Sequence, residues 1–437
     1  MKKFAATTAI VTALGLTLAG CGDPSGADAG ASAPAEWADQ NADLSGVELT
    51  FWAAQSSVSV PEEVAAAFEE ATGAEVTIEV IPDSYEANVQ TRVATGAKPD
   101  LAFWQPTPSM LTAINAKNNL LPLDGAPWVE TMEPSLQDLT GILDGTRYAT
   151  LVASPSVIGV YYNKDVFAAN GISEVPQNVD ELLTDARAIE AAGTDAFFEM
   201  AGDGWGTQWF PQMLLADDAK AGFWDEVNAG TKTFSSPEML DAITEYDDLI
   251  TEGLFNDDIK TATFNDQGAA LLAGEAAMVV QNNAYMTQLQ AMATTDELDA
   301  SIGFFPISRE GTTATSIPDQ SNAIVAFNTG DAERQAAARQ FMSFWMGEGY
   351  PTFVESTNAV SIVTGVENSP EVPQLVLDIH ATLTDTAPSM QAAAVANPDL
   401  WLNLVDMIND VKTPEDVAKA TQSQFAELAK AAGVAGF

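Results

Sequence analysis

Hydrophobic positions along the chain change repeatedly from the period of a strand to that of a helix. Residues 47–54, VELTFWAA, alternate in polarity and are rich in strand-forming side chains, so they predict a first strand. Residues 61–73, PEEVAAAFEEATG, predict a helix that begins with a proline and acidic residues and ends at a glycine. A second strand, a second helix and a short third strand at 101–103 follow. This alternation predicts an α/β fold in which helices cover a parallel sheet.

The segment 145–172 departs from the alternation. It holds two strand-like runs on either side of residues 154–156, and no helix fits between them. A crossing of this kind is typical of a hinge between two lobes. The chain beyond it again predicts helices, for example at 178–193 and 236–253, so a second α/β lobe is expected there.

The length of the chain also predicts two domains, because 437 residues exceed what one hydrophobic core usually organises. We assign 46–153 and 282–323 to the first lobe, and 154–281 and 324–437 to the second. Each lobe is expected to contain a mainly parallel sheet flanked by helices.

The amino terminus carries the features of a targeting segment. A pair of lysines and a short apolar run precede LAGC at 18–21, as in a secretory signal, and the apolar run is too short for a stable membrane span. LAGC resembles a bacterial lipobox, which implies removal of residues 1–20 and lipidation of Cys21. Residues 21–45 begin with a stretch of small and polar residues and predict a flexible tether. We therefore expect a lipid-anchored protein on the outer face of the cell membrane.

Charge and composition narrow the possible partners and chemistry. The chain has 62 acidic and 17 basic residues, a net charge of −45, which repels nucleic acid and anionic headgroups. The acid excess fits either a solubilising surface or a preference for cationic ligands. One cysteine and one histidine, His380 in a predicted helix, argue against an intrachain disulfide, a multi-histidine metal site and a serine-histidine-aspartate triad. We expect no metal, no cofactor and no nucleic-acid partner.

Several segments from about residue 47 to the carboxyl terminus follow one another in a recognisable order. They are FEEATGAEVTIEV, ATGAKPDLAFWQ, NNLLPLD, YYNKDVF, VDELLTDARAI, GAALLAGEAAMVVQNNAY and TPEDVAKA. Together they resemble the bacterial extracellular solute-binding proteins of the sugar-binding class, with the maltose-binding type nearest in pattern. The resemblance implies a two-lobed periplasmic-binding-protein fold of type II, with a cleft that closes on ligand. It also implies a non-enzymatic, monomeric receptor that delivers its ligand to the transmembrane subunits of an ABC importer.

Two strand ends carry the leading candidates for ligand contact. Ligands bind at the carboxyl ends of strands in open α/β sheets, and sugars require aromatic platforms beside amides and hydroxyls. Trp104 and Gln105 follow the third strand, and the resemblance places a ligand-stacking tryptophan at Trp104. Trp52 lies near the end of the first strand, with Gln55 and Ser56 beyond it. A tryptophan at a strand end is also compatible with a place in the core.

The remaining candidates share a position at a strand end, in a loop or on a late helix: Ser156, Tyr161, Trp205, Asn282, Asn283, Tyr285, Asp319, Asn322 and Trp401. Trp205 lies in a glycine-rich loop, which offers little support for a core residue. The resemblance matches Trp401 to an aromatic residue that caps the sugar, although the apolar face of a helix explains it equally well. Ser156 stands where maltose-type members carry a carboxylate.

Three functions follow from these observations. The first is capture of a mono- or oligosaccharide, or a related glycoside, for delivery to an ABC permease. The second is the same fold with a different solute, such as a cationic peptide, a polyamine or a metal complex, which the acid excess suggests. The third is a secreted glycosidase, since paired carboxylates suffice for that chemistry, but no motif selects such a pair.

Overall fold

The computed structural model describes residues 37–82, 84–317, 322–434 and 436–437. The predicted signal peptide, Cys21, most of the predicted tether and Asp319 lie outside the described residues.

Strands of the described chain form two larger sheets and one short hairpin. They are β1 (Glu48–Ala54), β2 (Glu75–Ile81), β3 (Leu101–Phe103), β4 (Ile142–Leu143), β5 (Thr146–Arg147), β6 (Ala149–Leu151), β7 (Ser156–Asn163), β8 (Asp195–Phe197), β9 (Ala276–Gln281), β10 (Ile302–Phe305), β11 (Ala314–Ile317), β12 (Ala323–Ala326) and β13 (Thr386–Pro388).

Helices connect and cover these strands. They are α1 (Glu62–Thr72), α2 (Tyr85–Ala94), α3 (Pro108–Ala113), α4 (Ala116–Asn119), α5 (Lys164–Ala169), α6 (Val179–Ala191), α7 (Trp209–Leu214), α8 (Ala216–Lys220), α9 (Phe223–Asn228), α10 (Pro237–Glu252), α11 (Phe264–Ala273), α12 (Ala284–Gln290), α13 (Thr295–Ser301), α14 (Ala332–Trp345), α15 (Tyr350–Thr357), α16 (Gln374–Ala381), α17 (Met390–Ala393), α18 (Leu400–Ile408) and α19 (Pro414–Ala431). The predicted helices at 61–73, 178–193 and 236–253 are confirmed as α1, α6 and α10.

The first sheet has the strand order β2-β1-β3-β12-β6. Strand β1 runs parallel to β2 and β3, whereas β12 runs antiparallel to both β3 and β6. Side chains alternate between the two faces, so Phe51 and Phe103 pack with Phe341 and Trp345 of α14. The opposite face packs against α2 and α3.

The second sheet has the order β13-β11-β7-β9-β8, with β10 also paired to β7. Strand β7 runs antiparallel to β9, β10 and β11, while β8 is parallel to β9 and β13 is parallel to β11. The predicted two-lobed α/β fold is confirmed, but both sheets are mixed rather than mainly parallel. The reason is that strands returning from the other lobe enter in the opposite direction.

Crossings between the sheets determine which segments belong together. The crossing predicted around 154–156 is confirmed, because β6 lies in the first sheet and β7 in the second. The predicted lobe boundaries at 282–323 and 324–437 do not match the pairing: β10 and β11 lie in the second sheet, while β12 lies in the first. Local periodicity shows that a segment is a strand but does not show which sheet it joins.

The end of the predicted tether is folded against the first lobe. Gln340 in α14 donates hydrogen bonds from Nε2 to the carbonyl oxygens of Gln40 at 3.2 Å and Ala42 at 2.8 Å. The ring of Trp37 meets that of Trp128 edge-on, with centroids 4.9 Å apart. Residues 37–45, which we call the N-terminal strap, are therefore packed structure, and Trp37 supplies an apolar contact to the first lobe.

Candidate functional site

The edge of the first sheet at the carboxyl end of β3 faces the second lobe, because the chain crosses between lobes there. The Trp104 amide N–H donates to the Ala323 carbonyl at 3.1 Å, and the Val152 N–H donates to the Asn322 carbonyl at 2.8 Å. Asn322 Nδ2 donates to the carbonyl of Ser154 at 2.8 Å. The end of β3, the start of β12 and the end of β6 thus meet. Two half-buried candidates, Gln105 and Asn322, lie at this junction.

Gln55 and Ser56 lie in the turn after β1, and both are exposed. Because β1 and β3 are parallel, this turn lies at the same edge of the sheet as Gln105. The two residues line an open pocket of about 420 Å³ together with Ser84 and Glu86. This edge of the first sheet therefore carries exposed polar groups.

Trp104, the leading candidate from the sequence, is a core residue. Its side chain is 0 % exposed, and its Nε1 donates to the Met110 carbonyl of α3 at 3.1 Å. The reason is local: the prolines after Gln105 turn the chain into α3, whose first turns cover the indole. Neither face of the ring is accessible to a ligand, so the prediction that Trp104 stacks on ligand is not supported.

Trp52 is also buried, with 3 % of its surface exposed. Its Nε1 donates to Glu79 Oε2 at 2.9 Å, and the Arg92 guanidinium lies 5.2 Å from the ring centroid. Trp52 therefore lies on the face of the sheet that α2 covers, and its predicted role as a ligand contact is not supported either.

The second lobe supplies accessible aromatic side chains. Trp205, Phe264 and Trp401 are each half-buried. The Trp205 and Phe264 rings approach edge-on with centroids 5.1 Å apart. Gly204 has a φ of +78°, and a Cβ there would lie 3.1 Å from the Trp401 ring, so the glycine lets α18 approach the loop. We call these three side chains the aromatic wall.

Asn282 and Asn283 follow β9 and lie beside the start of β7. Asn283 Oδ1 accepts a hydrogen bond from the Val157 N–H at 3.2 Å, next to the half-buried Ser156. Gln281, the last residue of β9, places its Nε2 3.0 Å from where a Cβ of Gly206 would lie. The amides at the end of β9 therefore adjoin the loop that carries Trp205.

Tyr161 and Tyr285 are structural. Both are 0 % exposed, and their rings meet edge-on at 5.0 Å. The hydroxyl of Tyr285 donates to the Gln267 carbonyl at 3.0 Å, and that of Tyr161 donates to the Asn282 carbonyl at 3.3 Å. Burial raises the pKa of both phenols well above the ordinary value. These tyrosines pack against Phe264 and Asn282, and their burial leaves no ring surface for a ligand, so their predicted role as ligand contacts is not supported.

The structure adds three residues that sequence reasoning missed: Phe264, Gln208 and Gln391. Gln391 Nε2 donates to Gln208 Oε1 at 2.8 Å, and Gln208 Nε2 donates to the carbonyl of Trp205 at 2.9 Å. Gln208 lies three residues after Trp205 in the sequence, so its position beside that candidate could have identified it. Gln391 is 183 residues away in the chain, and no local signal identifies it.

A buried carboxyl lies beneath the loop of Trp205. Glu199 is 3 % exposed, and burial raises its pKa to about 7. The Met200 N–H donates to its Oε1 at 2.9 Å, and the Tyr246 hydroxyl donates to its Oε2 at 2.9 Å. Glu199 faces the protein interior and binds the backbone at the start of the loop. The side chains of the aromatic wall, in contrast, are uncharged. The described residues contain no group of three or more His, Cys, Asp or Glu side chains arranged to hold a metal ion.

Two lobes joined by crossing strands, with sheet ends and aromatic side chains at their junction, define the class of two-lobed solute-binding proteins. The model of the family described as bacterial extracellular solute-binding protein matches residues 53–350, and the chain belongs to that family. In the part of the chain that the structure describes, no helix has both the length and the apolar character needed to cross a membrane.

Curated relatives and solved structures agree with this assignment. A binding protein of Brucella abortus strain 2308 is 28 % identical over 247 residues, covering 50 % of this chain and 53 % of the relative. The match thus spans about half the length of the curated relatives.

The similar solved structures are distant in sequence, and they show the fold. A chitin oligosaccharide binding protein has a TM-score of 0.66 at 21 % identity, covering 87 % of this chain and 98 % of the other. RafE from Streptococcus pneumoniae has a TM-score of 0.70 at 17 % identity, covering 87 % and 98 %. GacH of Streptomyces glaucescens, solved unliganded and with acarbose, has a TM-score of 0.65 at 18 % identity, covering 89 % and 99 %.

Proposed function

We propose that this protein is the receptor of an ABC importer and that it captures a neutral mono- or oligosaccharide, or a related glycoside, between its lobes. The aromatic wall of Trp205, Phe264 and Trp401 is the observation that carries the proposal. Half-buried rings offer apolar faces to the C–H faces of a sugar, and nearby amides match its hydroxyls. Structural neighbours that include a chitin oligosaccharide binding protein, RafE in complex with raffinose and GacH in complex with acarbose support the same ligand class.

The opposite side of the cleft comes from the first lobe. Gln55, Ser56, Gln105 and Asn322 lie at the sheet edge from which the crossings leave. A ligand that contacts both this edge and the aromatic wall binds the closed form more tightly than the open form. It therefore favours the closed arrangement of the lobes. The permease would then bind the closed form. No covalent chemistry is required of the protein.

Isothermal titration calorimetry tests the ligand class. We would titrate the protein with raffinose, chitobiose, maltotriose and xylobiose, and with spermidine for the cationic alternative. At least one sugar should bind, and Trp205→Ala should weaken it by about tenfold or more, which corresponds to ~1.4 kcal/mol. Trp37→Ala serves as the matched control, because Trp37 is also partly buried but lies in the N-terminal strap.

Two outcomes would contradict the proposal. Binding of spermidine without binding of any sugar would favour a receptor for cations. Equal sugar affinity in Trp205→Ala and Trp37→Ala would show that the aromatic wall does not contact the ligand. Release of sugar from chromogenic glycosides by the purified protein would instead support a glycosidase.

Attachment to the membrane through a lipid on Cys21 is a separate part of the proposal. It is supported by the LAGC sequence and by the preceding targeting features. Cys21→Ser should move the protein from the membrane fraction to the soluble extracellular fraction. Retention of the variant on the membrane would rule out this anchor.

A further inference from the structure

A groove that is open to solvent lies between the two lobes, and we call it the interlobe groove. Its first wall comes from α3, α4 and the turn between β4 and β5, which contribute Ala113, Lys117 and Asp144. Its second wall comes from Val395, which follows α17, and from the carboxyl end of α19, which contributes Ala432. The volume is about 740 Å³, which lies within the range of small-molecule sites.

The interlobe groove offers both apolar surface and hydrogen-bonding groups. Leu143, Val395 and Val434 are half-buried aliphatic side chains in its walls. Among the described residues that line it, Lys117 and Asp144 are the charged ones, and their Nζ and Oδ2 atoms pair at 2.6 Å. The pair leaves no uncompensated charge and still presents a donor and an acceptor for hydroxyl groups. This lining suits a neutral polyhydroxylated ligand better than a cation or an anion.

Helix α17 connects the interlobe groove with the aromatic wall. Gln391 of α17 donates from Nε2 to Gln208 Oε1 at 2.8 Å, and Gln208 Nε2 donates to the Trp205 carbonyl at 2.9 Å. Val395 lies four residues after Gln391, a length of chain that spans at most about 14 Å even when extended. The same helix packs against α3 of the first lobe. One sugar ring on the aromatic wall leaves the groove empty, whereas several linked rings can occupy both places.

We propose that the interlobe groove binds the further sugar units of an oligosaccharide whose first unit lies on the aromatic wall, an inference that rests on the proposed function. The preferred ligand is then an oligosaccharide longer than a disaccharide. Because each lobe supplies one wall of the groove, the further units contact both lobes. They therefore favour this arrangement of the lobes in addition to being held by it.

Calorimetry with sugars of different length tests the groove. The wild type is titrated with sucrose and stachyose, chitobiose and chitotetraose, maltose and maltotetraose, and xylobiose and xylotetraose. In the series that binds, the tetrasaccharide should bind at least about tenfold more tightly than the disaccharide, because its further units reach the groove.

Tryptophan substitutions fill the groove from opposite walls. Ala113→Trp and Ala432→Trp replace exposed alanines, so the folded lobes should tolerate both. Each variant should bind the tetrasaccharide at least about tenfold more weakly than the wild type and bind the disaccharide within about twofold. Ala336→Trp on α14 and Ala168→Trp on α5 are the matched controls, because these alanines are exposed on other helices of the two lobes. Thermal melting identifies any variant that fails to fold.

A second measurement uses the wild-type protein alone. In methyl NMR spectra, the resonances of Leu143, Val395 and Val434 should shift when the tetrasaccharide is added and stay in place when the disaccharide is added. This comparison remains decisive if a tryptophan variant fails to fold.

The outcomes separate this inference from the proposed function. If the wild type binds no sugar, both are wrong. If the disaccharide binds as tightly as the tetrasaccharide, or if both groove variants keep wild-type affinity for the tetrasaccharide, the groove is not a sugar site while the receptor function stands. An equal loss of affinity for both sugars in the groove variants would also overturn the inference, because it would show that the groove acts in lobe closure and not in ligand contact.

Discussion

Individual tryptophans of this chain have different roles according to the element that covers them. Trp104 and Trp205 both follow strands in the sequence, yet the first is fully buried and the second is half-buried. Helix α3 folds back over Trp104, whereas the loop of Trp205 packs closely against Trp401 at Gly204 and leaves the Trp205 ring half-buried. The chemistry of the residue is the same in both cases, and the neighbouring backbone decides its accessibility.

Substitution of Trp104 should therefore reduce stability rather than ligand affinity. Trp104→Ala should lower the free energy of unfolding by about 3–5 kcal/mol, because it leaves a cavity in the core. Trp104→Phe should cost less and, once folded, bind sugar with wild-type affinity. Denaturant titration followed by calorimetry measures both quantities. A Trp104→Phe variant that keeps wild-type stability but loses sugar affinity would show that Trp104 contacts the ligand.

Glu199 should make stability depend on pH in the opposite direction to a carboxylate whose pKa is lowered in the folded state. Its pKa is raised from 4.5 to about 7, so the folded state holds a proton that the unfolded state releases. Its contribution to stability is fully present below about pH 4.5 and is lost as pH rises to about 7, by an amount on the order of 3 kcal/mol.

Glu199→Gln should remove this dependence. Relative to the wild type, the variant should gain stability between pH 5 and pH 8 in denaturant titrations. Glu427→Gln, on the exposed face of α19, serves as the control. The same pH dependence in the wild type and in Glu199→Gln would show that Glu199 is ionised at neutral pH in the folded protein.

Among the elements, the N-terminal strap differs most from its sequence-based description. Composition predicts a flexible tether through residue 45, but Gln340, buried at 3 % exposure, holds residues 40 and 42. Residues 37–45 therefore belong to the folded first lobe, contrary to the predicted extent of the tether.

Gln340→Leu should detach the strap while leaving the lobes folded. It removes both hydrogen bonds to the strap, so backbone amides at 37–45 should exchange with deuterium faster than in the wild type. Gln335→Leu is the control on the same helix, because its Nε2 bonds to Asn328 and not to the strap. Unchanged exchange in Gln340→Leu would show that the apolar contacts of Trp37 hold the strap alone.

At the scale of the whole molecule, one side chain links the two lobes beside the hinge. His380 lies on α16, which packs against β10 of the second sheet. Its Nδ1 and the Ser154 hydroxyl are 2.9 Å apart, and its Nε2 lies 3.1 Å from Glu133 Oε1 of the first lobe. The imidazole thus connects the crossing strand, the first lobe and the second lobe.

Removing this link should favour separated lobes. His380→Ala and Glu133→Gln should both lengthen the mean distance between spin labels placed on the two lobes, and should weaken sugar binding several-fold through the population of closed protein. Glu130→Gln, an exposed carboxylate nearby, should change neither quantity. Wild-type distances in both variants would show that the crossings alone set the lobe arrangement.

Local patterns in the sequence were sufficient to predict several helices and strands and the crossing between the lobes. Local periodicity predicted β1, α1, α6, α10 and the crossing between β6 and β7, because a strand or a helix imposes its own repeat on the side chains it buries. The glycine-rich loop of Trp205 and the late helix of Trp401 were recognisable for the same local reasons.

Which strands share a sheet, and which aromatic side chains are buried, became clear only from the folded chain. Sheet membership of β10, β11 and β12 depends on pairing with strands far away in the sequence, and the burial of Trp52, Trp104, Tyr161 and Tyr285 depends on the elements that pack over them. The junction of Gln208 with Gln391 joins residues 183 positions apart. The hydrophobic period of a segment does not identify the distant segment that packs against it. Such contacts are therefore visible only in the folded structure.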